Sequence, residues 1–441
     1  MEVDKQSENA CSTIATVEEL EANNNQISSL KEGNTSFFKT FFNGANTIIG
    51  NGVIIVSYAL ASGGWMSLLI LFIISGLAIY TGLLLKKCMD LDSNIKGYSD
   101  IGEHAYGKIG KIIVSVVLYA DLFMATTGFL ILEGDNLHTL FPKFAIHLPG
   151  LGLLSLSIDG KSSFIIIIAL ILLPTVLVDN LSIFAYISAT GCIAALVILG
   201  SVFWVGLFDG IGFHQAKTTS LFNWKGLPTA VSLYMLCYTS HPVFPTLYTS
   251  MQKKHHFFKA LLLSFAFSSF IYISMAILGY SMFGSGTQSQ ITLNLPTHKL
   301  ASKIAIYTTI INPLVKYGLL LKPIVITTEG WFSNKYNKNK IFKSVIRAVL
   351  VGIQVGVALA LPFFGYLMSL AGALLGATGS LTIPCLCYLK ITSRNDNYKS
   401  NYRFRLVERS FIWGIVCFSL LIMVTGTYTS IINIVKEIRH K

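Results

Sequence analysis

Eleven times in its 441 residues the chain offers a run of about twenty predominantly apolar side chains, and no other feature limits the fold as much. A helix rising 1.5 Å per residue needs about that length to cross the hydrocarbon core of a bilayer. The runs lie at approximately 38-60, 65-85, 112-132, 163-178, 185-207, 227-248, 258-282, 304-327, 343-361, 363-389 and 411-434. With 53% hydrophobic and only 12% charged residues, against about 25% charged in an average soluble domain, little is left over for a water-soluble unit. The expected architecture is an all-α polytopic membrane protein of about eleven spans, residues 36-435, preceded by a disordered polar tail at 1-35 and followed by a short tail at 436-441.

The formal charge of +12 would suggest nucleic acid in a soluble chain. Here it follows the loops. Alternate loops carry 19 Lys and Arg on one side against 6 on the other, the bias that places the richer side in the cytosol. The N-terminus is therefore expected to be cytosolic and the C-terminal tail non-cytosolic, with a lipid bilayer rather than nucleic acid as the partner. None of the seven cysteines falls in a loop on the non-cytosolic side, so no disulfide framework is implied, and the pair in "PCLCYLK" reads as packing.

Two of the spans are interrupted. In "TIIGNGVIIVSYALASGGW", Thr47 to Trp65, a Gly-Asn-Gly occupies the middle of an Ile/Val-rich helix, where glycine is the costliest residue after proline. In "LYMLCYTSHPVFPTLYTS", Leu233 to Ser250, Pro242 and Pro245 each remove a backbone donor. These are spans one and six, which correspond if spans one to five and six to ten form two halves of opposite orientation. Matched broken helices in two halves mark the binding site of a secondary transporter. Open backbone at membrane depth persists only where it lines protein or a wet cavity. The helix end starting near Gly52 suits a carboxylate, and carbonyls released near Ile48, Ile49 and Tyr238 suit an ammonium, so the breaks suit a zwitterion. Candidate substrate-binding residues are Ile49, Gly50, Asn51, Gly52, Tyr238, Thr239 and Ser240.

At these residues the chain resembles the amino acid/auxin permease family, most closely its vacuolar branch in plants and fungi. The likeness is carried by "NGANTIIGNGVIIVSYALASGGW", "YSDIGEHAYGKIG", "ILEGDNLHTLFP", "CYTSHPVFPTLYTSM", "YTTIINPLVKYGLLLKPI", "PFFGYLMSLAGALLGATGSLTIPCLCYLKI" and "GTYTSIINIV", and covers roughly residues 36 to 435. The resemblance implies a LeuT-like fold, two inverted five-helix repeats plus one helix. It further implies a monomer that carries neutral amino acids by proton-coupled secondary transport in the vacuolar membrane, or alternatively in the plasma membrane or another endomembrane. No cofactor beyond the coupling proton and no metal is implied. Asn51 and Asp121 depart from the residues typical of the family and bear on which amino acids are preferred.

Few polar side chains lie within the spans, and each is a candidate for function because its burial in lipid is costly. His241, in the span-six break, is read as a gate or substrate contact, or else as a neutral ring that ties down loose carbonyls. Asp121, near the middle of span three, is read as a proton carrier or as a structural hydrogen-bond partner. Span eight places Thr308, Asn312 and Lys316 on one face at i, i+4 and i+8. In sodium-coupled relatives of the fold, spans one and eight hold the ion together. Lys316 is therefore read as occupying the place of a sodium ion, the alternative being a side chain that snorkels to the interface. Glu133 and Asp135 in "LEGDNL" are expected to form a solvated helix end. Glu103 and His104 are expected on a short interfacial helix as conformational lock residues, and Glu329 as a solvated or ion-paired cap. No convergent set of catalytic groups appears within the spans, so an enzyme is not expected. An amino acid sensor without flux and a sodium-coupled transporter of the same fold remain as alternatives.

Overall fold

The computed structural model describes residues 35–92, 95–148, 156–177, 187–213, 218–330, 332, 339–394 and 402–440. The expected tail over 1-35 lies outside the described residues except at Thr35. Span one consists of α1 (Phe37–Ile49) and α2 (Gly52–Gly63), which are inclined at 46° to each other. Next come α3 (Ser67–Leu91), α4 (Tyr98–Leu140), α5 (Gly160–Leu177) and α6 (Ile187–Phe208) as spans two to five. Span six is α7 (Leu227–Cys237) and α8 (Phe244–Ser250), joined through a 3-10 turn at His241–Val243. Spans seven, eight and nine are α9 (Phe257–Phe283), α10 (Leu300–Gly330) and α11 (Lys340–Ala360). Span ten runs from α12 (Phe364–Ala371) through two π-helical stretches into α13 (Ile383–Arg394), and span eleven is α14 (Tyr402–His440).

Among the described residues nine helices are long and apolar enough to cross a membrane unaided, and the bent pair of span one makes a tenth. Span six completes the expected eleven only as two short pieces. The C-terminal residues expected as a tail continue the helix of span eleven as far as His440. Span three is longer than its apolar run at both ends, because a helix need not stop where the hydrocarbon does. It begins at Tyr98 and turns at Gly107, so the expected interfacial helix is its first two turns. That segment docks on span ten through the Tyr98 hydroxyl, which donates to the Gly379 carbonyl, and the Tyr106 hydroxyl, 3.2 Å from the Leu386 carbonyl. Its Glu103 pairs with Lys111 at 2.7 Å, and His104 lies 3.3 Å from Asp92. One element departs from the all-helical reading: β1 (Ile146–Leu148) and β2 (Leu156–Ile158) form a short antiparallel ribbon between spans three and four.

The spans associate in two groups. Span seven packs on both halves of span one, α2 on α7, and span two on α7 and span seven. Spans three, four, eight and nine pack on one another. The second group is braced where Glu329, 7% exposed, meets Arg347 at 2.8 Å and Lys343 at 3.3 Å, while Arg347 also donates to the Leu177 carbonyl at the end of span four. Glu329 is thus ion-paired and buried rather than solvated. Cys385 and Cys387 are buried free thiols, as a packing role requires.

Candidate functional site

The break in span one has a local cause. Gly50 has φ +26° and ψ −135°, a conformation that a residue with a Cβ rarely adopts, and it turns the chain from α1 into α2. The break in span six follows from its prolines. Helix α7 ends at Cys237, Tyr238 to Ser240 are irregular, and Pro242 and Pro245 each enter the first positions of the next helical turn, where the missing N–H is not needed.

A tyrosine joins the two breaks. The hydroxyl of Tyr272, in span seven, lies 2.6 Å from the Ile48 carbonyl, 2.9 Å from that of Ile49 and 3.1 Å from that of Cys237. The carbonyls at the ends of both first half-helices thus converge on one O–H. Gly52 makes room for it, since a Cβ there would stand 2.5 Å from the hydroxyl oxygen.

Beside the breaks lies a cavity of about 370 Å³, at the low end of the roughly 300–1,000 Å³ typical of small-molecule sites. Gly50, Asn51, Thr239, Asp121 and Lys316 all line it. The cavity lies between the two groups of spans, with Phe129 and Met368 toward one membrane face and Asn46, Leu118 and Leu319 toward the other, the face on which Phe37 begins. We call the latter the near face. The lining is mostly apolar, with Gly50 and Asn51, the residues just before α2, on one side and one carboxyl and one ammonium among its walls. The Asp121 carboxyl has no hydrogen-bond or ion-pair partner among the described residues. The Lys316 ammonium donates to Asn46 Oδ1 at 2.8 Å, and so bridges spans eight and one. A side chain 9% exposed and turned inward to span one does not snorkel to the interface.

The other expected site residues stand elsewhere. Ile49 and Gly52 are buried behind the cavity wall, and the Ile48 and Ile49 carbonyls are contacted by Tyr272. Tyr238 is fully buried, its hydroxyl bonded to Ser269 at 2.8 Å, and Ser240 is buried beside it. His241 is fully buried and points away from the cavity: its Nε2 lies 3.0 Å from the Ala78 carbonyl and 2.9 Å from Thr81 Oγ1. Since the carbonyl only accepts, Nε2 carries the hydrogen, and the ring ties the span-six break to span two. Thr308 and Asn312 are half-buried on span eight and do not line the cavity. Asn46, Phe129, Met368 and Tyr272 were not singled out from the sequence. Asn46 had a readable signal, a polar side chain one turn before the break. Tyr272 had none.

On the far side the cavity is capped by polar contacts. Asp135 pairs with Lys161 at 2.5 Å and accepts from Gln290 Nε2 at 2.9 Å, and Asn136 Nδ2 donates to Gln290 Oε1 at 2.7 Å. Lys161 also donates to the Pro362 carbonyl at 2.6 Å. Spans three and four, the start of span ten and the segment after span seven are thereby tied together. The expected solvated end of span three is instead packed: Glu133 is 0% exposed, because the segment after span seven and the neighbouring spans cover it.

The family model described as "Transmembrane amino acid transporter protein" matches residues 33–432. The chain belongs to this family. Amino acid transporter AVT1I of Arabidopsis thaliana is 48% identical over 419 residues, spanning 95% of this chain and 100% of the relative. Amino acid transporter AVT1J of the same plant is 46% identical, spanning 91% and 92%. The solved structure of MhsT in complex with L-phenylalanine matches with a TM-score of 0.52 at 11% identity, covering 89% of this chain and 99% of that one, which establishes the LeuT-like fold. The chain is therefore a multi-pass membrane protein of a transporter family whose members are not enzymes.

Proposed function

We propose that this transporter moves neutral amino acids by alternating access, coupled to protons. The observation that carries the reading is the cavity bounded by both broken spans, into which Asp121 brings an unpartnered carboxyl. An amino acid carboxylate is met by the free N–H groups at the start of α2 and its dipole. The apolar walls around Phe129 and Met368 suit an uncharged side chain. The backbone carbonyls first expected to hold the ammonium are engaged by Tyr272, which leaves Asp121 as the nearest negative group of the cavity for that role or for a proton. The Lys316 ammonium sits against Asn46 between spans one and eight, where a sodium ion would otherwise be held, and this favours protons over sodium. The far-side contacts and the extent of the cavity toward the near face describe an inward-facing form.

The excess of Lys and Arg in the loops on the near side supports a cytosolic near face and N-terminus. The resemblance to the vacuolar branch of the family favours the vacuolar membrane, and the substrate passes through a single chain acting as a monomer. The test is uptake of labelled neutral amino acids into sodium-free proteoliposomes under pH gradients of either sign. Flux that follows the pH gradient, and is lost in Asp121→Asn, supports the reading. Flux driven by sodium alone after the pH gradient is collapsed refutes it, and saturable binding without flux turns the protein into a sensor.

A further inference from the structure

Glu133 has no place in the mechanism above, yet it is the one carboxyl among the described residues with both oxygens buried and without a hydrogen-bond partner. Neither oxygen is paired with a charged side chain among the described residues. Lys161, the nearest cation on span four, is engaged with Asp135, and His138 lies one turn further along span three. The Ile291–Asn294 turn and Phe364–Ala371 bring no charged residue, span nine carries Lys340, Lys343 and Arg347 only at its near end, and span eight carries exposed Lys303 at its far end, with Lys316, Lys322 and Glu329 further toward the near face.

Its position is set by helical spacing. Phe129, Glu133 and Asn136 are related by i, i+4 and i+7 and so share a face of span three. Phe129 lines the cavity and Asn136 bonds to Gln290 in the far-side contacts. Glu133 thus lies between the far wall of the cavity and the contacts that close the far side. From Asp121 it is twelve residues along a regular helical stretch, about 18 Å at 1.5 Å per residue. A carboxylate buried there without a partner would lose its hydration with nothing to replace it, a loss avoided while it holds a proton. When the Asp135–Gln290–Asn136 contacts part, water reaches the group and the proton can leave.

We propose that Glu133 is a second proton-binding site, one that exchanges its proton with the far compartment when the far side opens. The inference rests on the proton-coupled reading. In the step itself the carboxyl O–H bond breaks and the proton passes to far-side water, and closure waits until the carboxylate has taken a proton back from that water, so Glu133 ties closure to the far-side pH while the proton carried across is the one on Asp121. A closed, empty or loaded far side therefore requires a protonated Glu133.

The test compares two readouts in proteoliposomes carrying the full chain: accumulation of a labelled neutral amino acid driven by a pH gradient, and counterflow exchange of the same amino acid with equal pH on both sides, taken at low and at high pH. Glu133→Gln, an isostere of the protonated acid, is expected to keep at least half of the low-pH exchange and to exchange at high pH at least tenfold faster than the wild type, whose exchange falls as Glu133 loses its proton, while Glu133→Asp keeps that fall in part. A fall of exchange with rising pH as steep in Glu133→Gln as in the wild type overturns the inference and leaves proton coupling through Asp121 standing. Loss of exchange along with accumulation in both variants assigns Glu133 to structure alone and overturns it too. If the wild type itself ignores the pH gradient, the proton-coupled reading has failed, and this inference with it.

Discussion

Replacing Gly52 with alanine sets two effects against each other. Helix propensity favours alanine by at most about 1 kcal/mol, and less at the first residue of a helix. Against it, the new Cβ would stand 2.5 Å from the Tyr272 hydroxyl oxygen and 2.7 and 2.8 Å from two ring carbons, closer than van der Waals contact allows. Tyr272 is fully buried and its hydroxyl is held by three carbonyls, so it has no free path of retreat. Overpacking of this kind costs about 1–3 kcal/mol, and leaving a buried acceptor unsatisfied about 1–3 kcal/mol more. The net expectation is a destabilisation of about 1–6 kcal/mol, since the packing and hydrogen-bond losses outweigh the propensity gain. Thermal unfolding of the purified protein in detergent, followed by tryptophan fluorescence, should show a midpoint several degrees below wild type, with amino acid binding weakened as the two breaks lose their common anchor. Tyr272→Phe, which removes the hydroxyl and keeps the ring, should fall between wild type and Gly52→Ala. A Gly52→Ala protein as stable as wild type would refute the argument, for it would mean that propensity dominates and the Tyr272 contact is dispensable.

Two further perturbations separate positioning from contact. His241→Ala should lower thermal stability by roughly 1–3 kcal/mol, through the loss of its hydrogen bond to the Ala78 carbonyl, while substrate KM changes less than about threefold; a large KM increase at unchanged stability would restore His241 to the substrate site. Gln290→Ala removes two hydrogen bonds from the far-side contacts, about 1 kcal/mol each, and should raise the population of the far-open form about tenfold or more; hydrogen exchange of Ile291–Asn294 should quicken, and unchanged exchange would mean that these contacts do not hold the far side shut.

Several features were legible before any packing was known. The eleven spans follow from apolar length alone, because a bilayer core of fixed thickness admits helices of one approximate length. The breaks at Gly50 to Gly52 and at Pro242 are equally local, since a positive-φ glycine and a missing N–H act within one turn. Asp121 and Lys316 could be singled out because charge within a hydrophobic run is costly wherever it points. Side-chain direction was another matter. His241 stands in the break and yet faces span two, because its partners at Ala78 and Thr81 lie 160 or more residues away in sequence.

What the sequence by itself determined, then, is the number of spans, the two interruptions, the side bias of the loops and the family, all properties of local composition read against the bilayer as solvent. Only the tertiary structure decided which polar groups meet. The Tyr272 hydroxyl reaches carbonyls more than 200 residues away in span one, Lys316 reaches Asn46 across 270 residues, and Glu133, at what looked like a solvated helix end, is sealed in. The physical reason is that a hydrogen bond is satisfied over about 3 Å and depends on direction, so its partner is set by how whole helices pack and not by the residues that flank it.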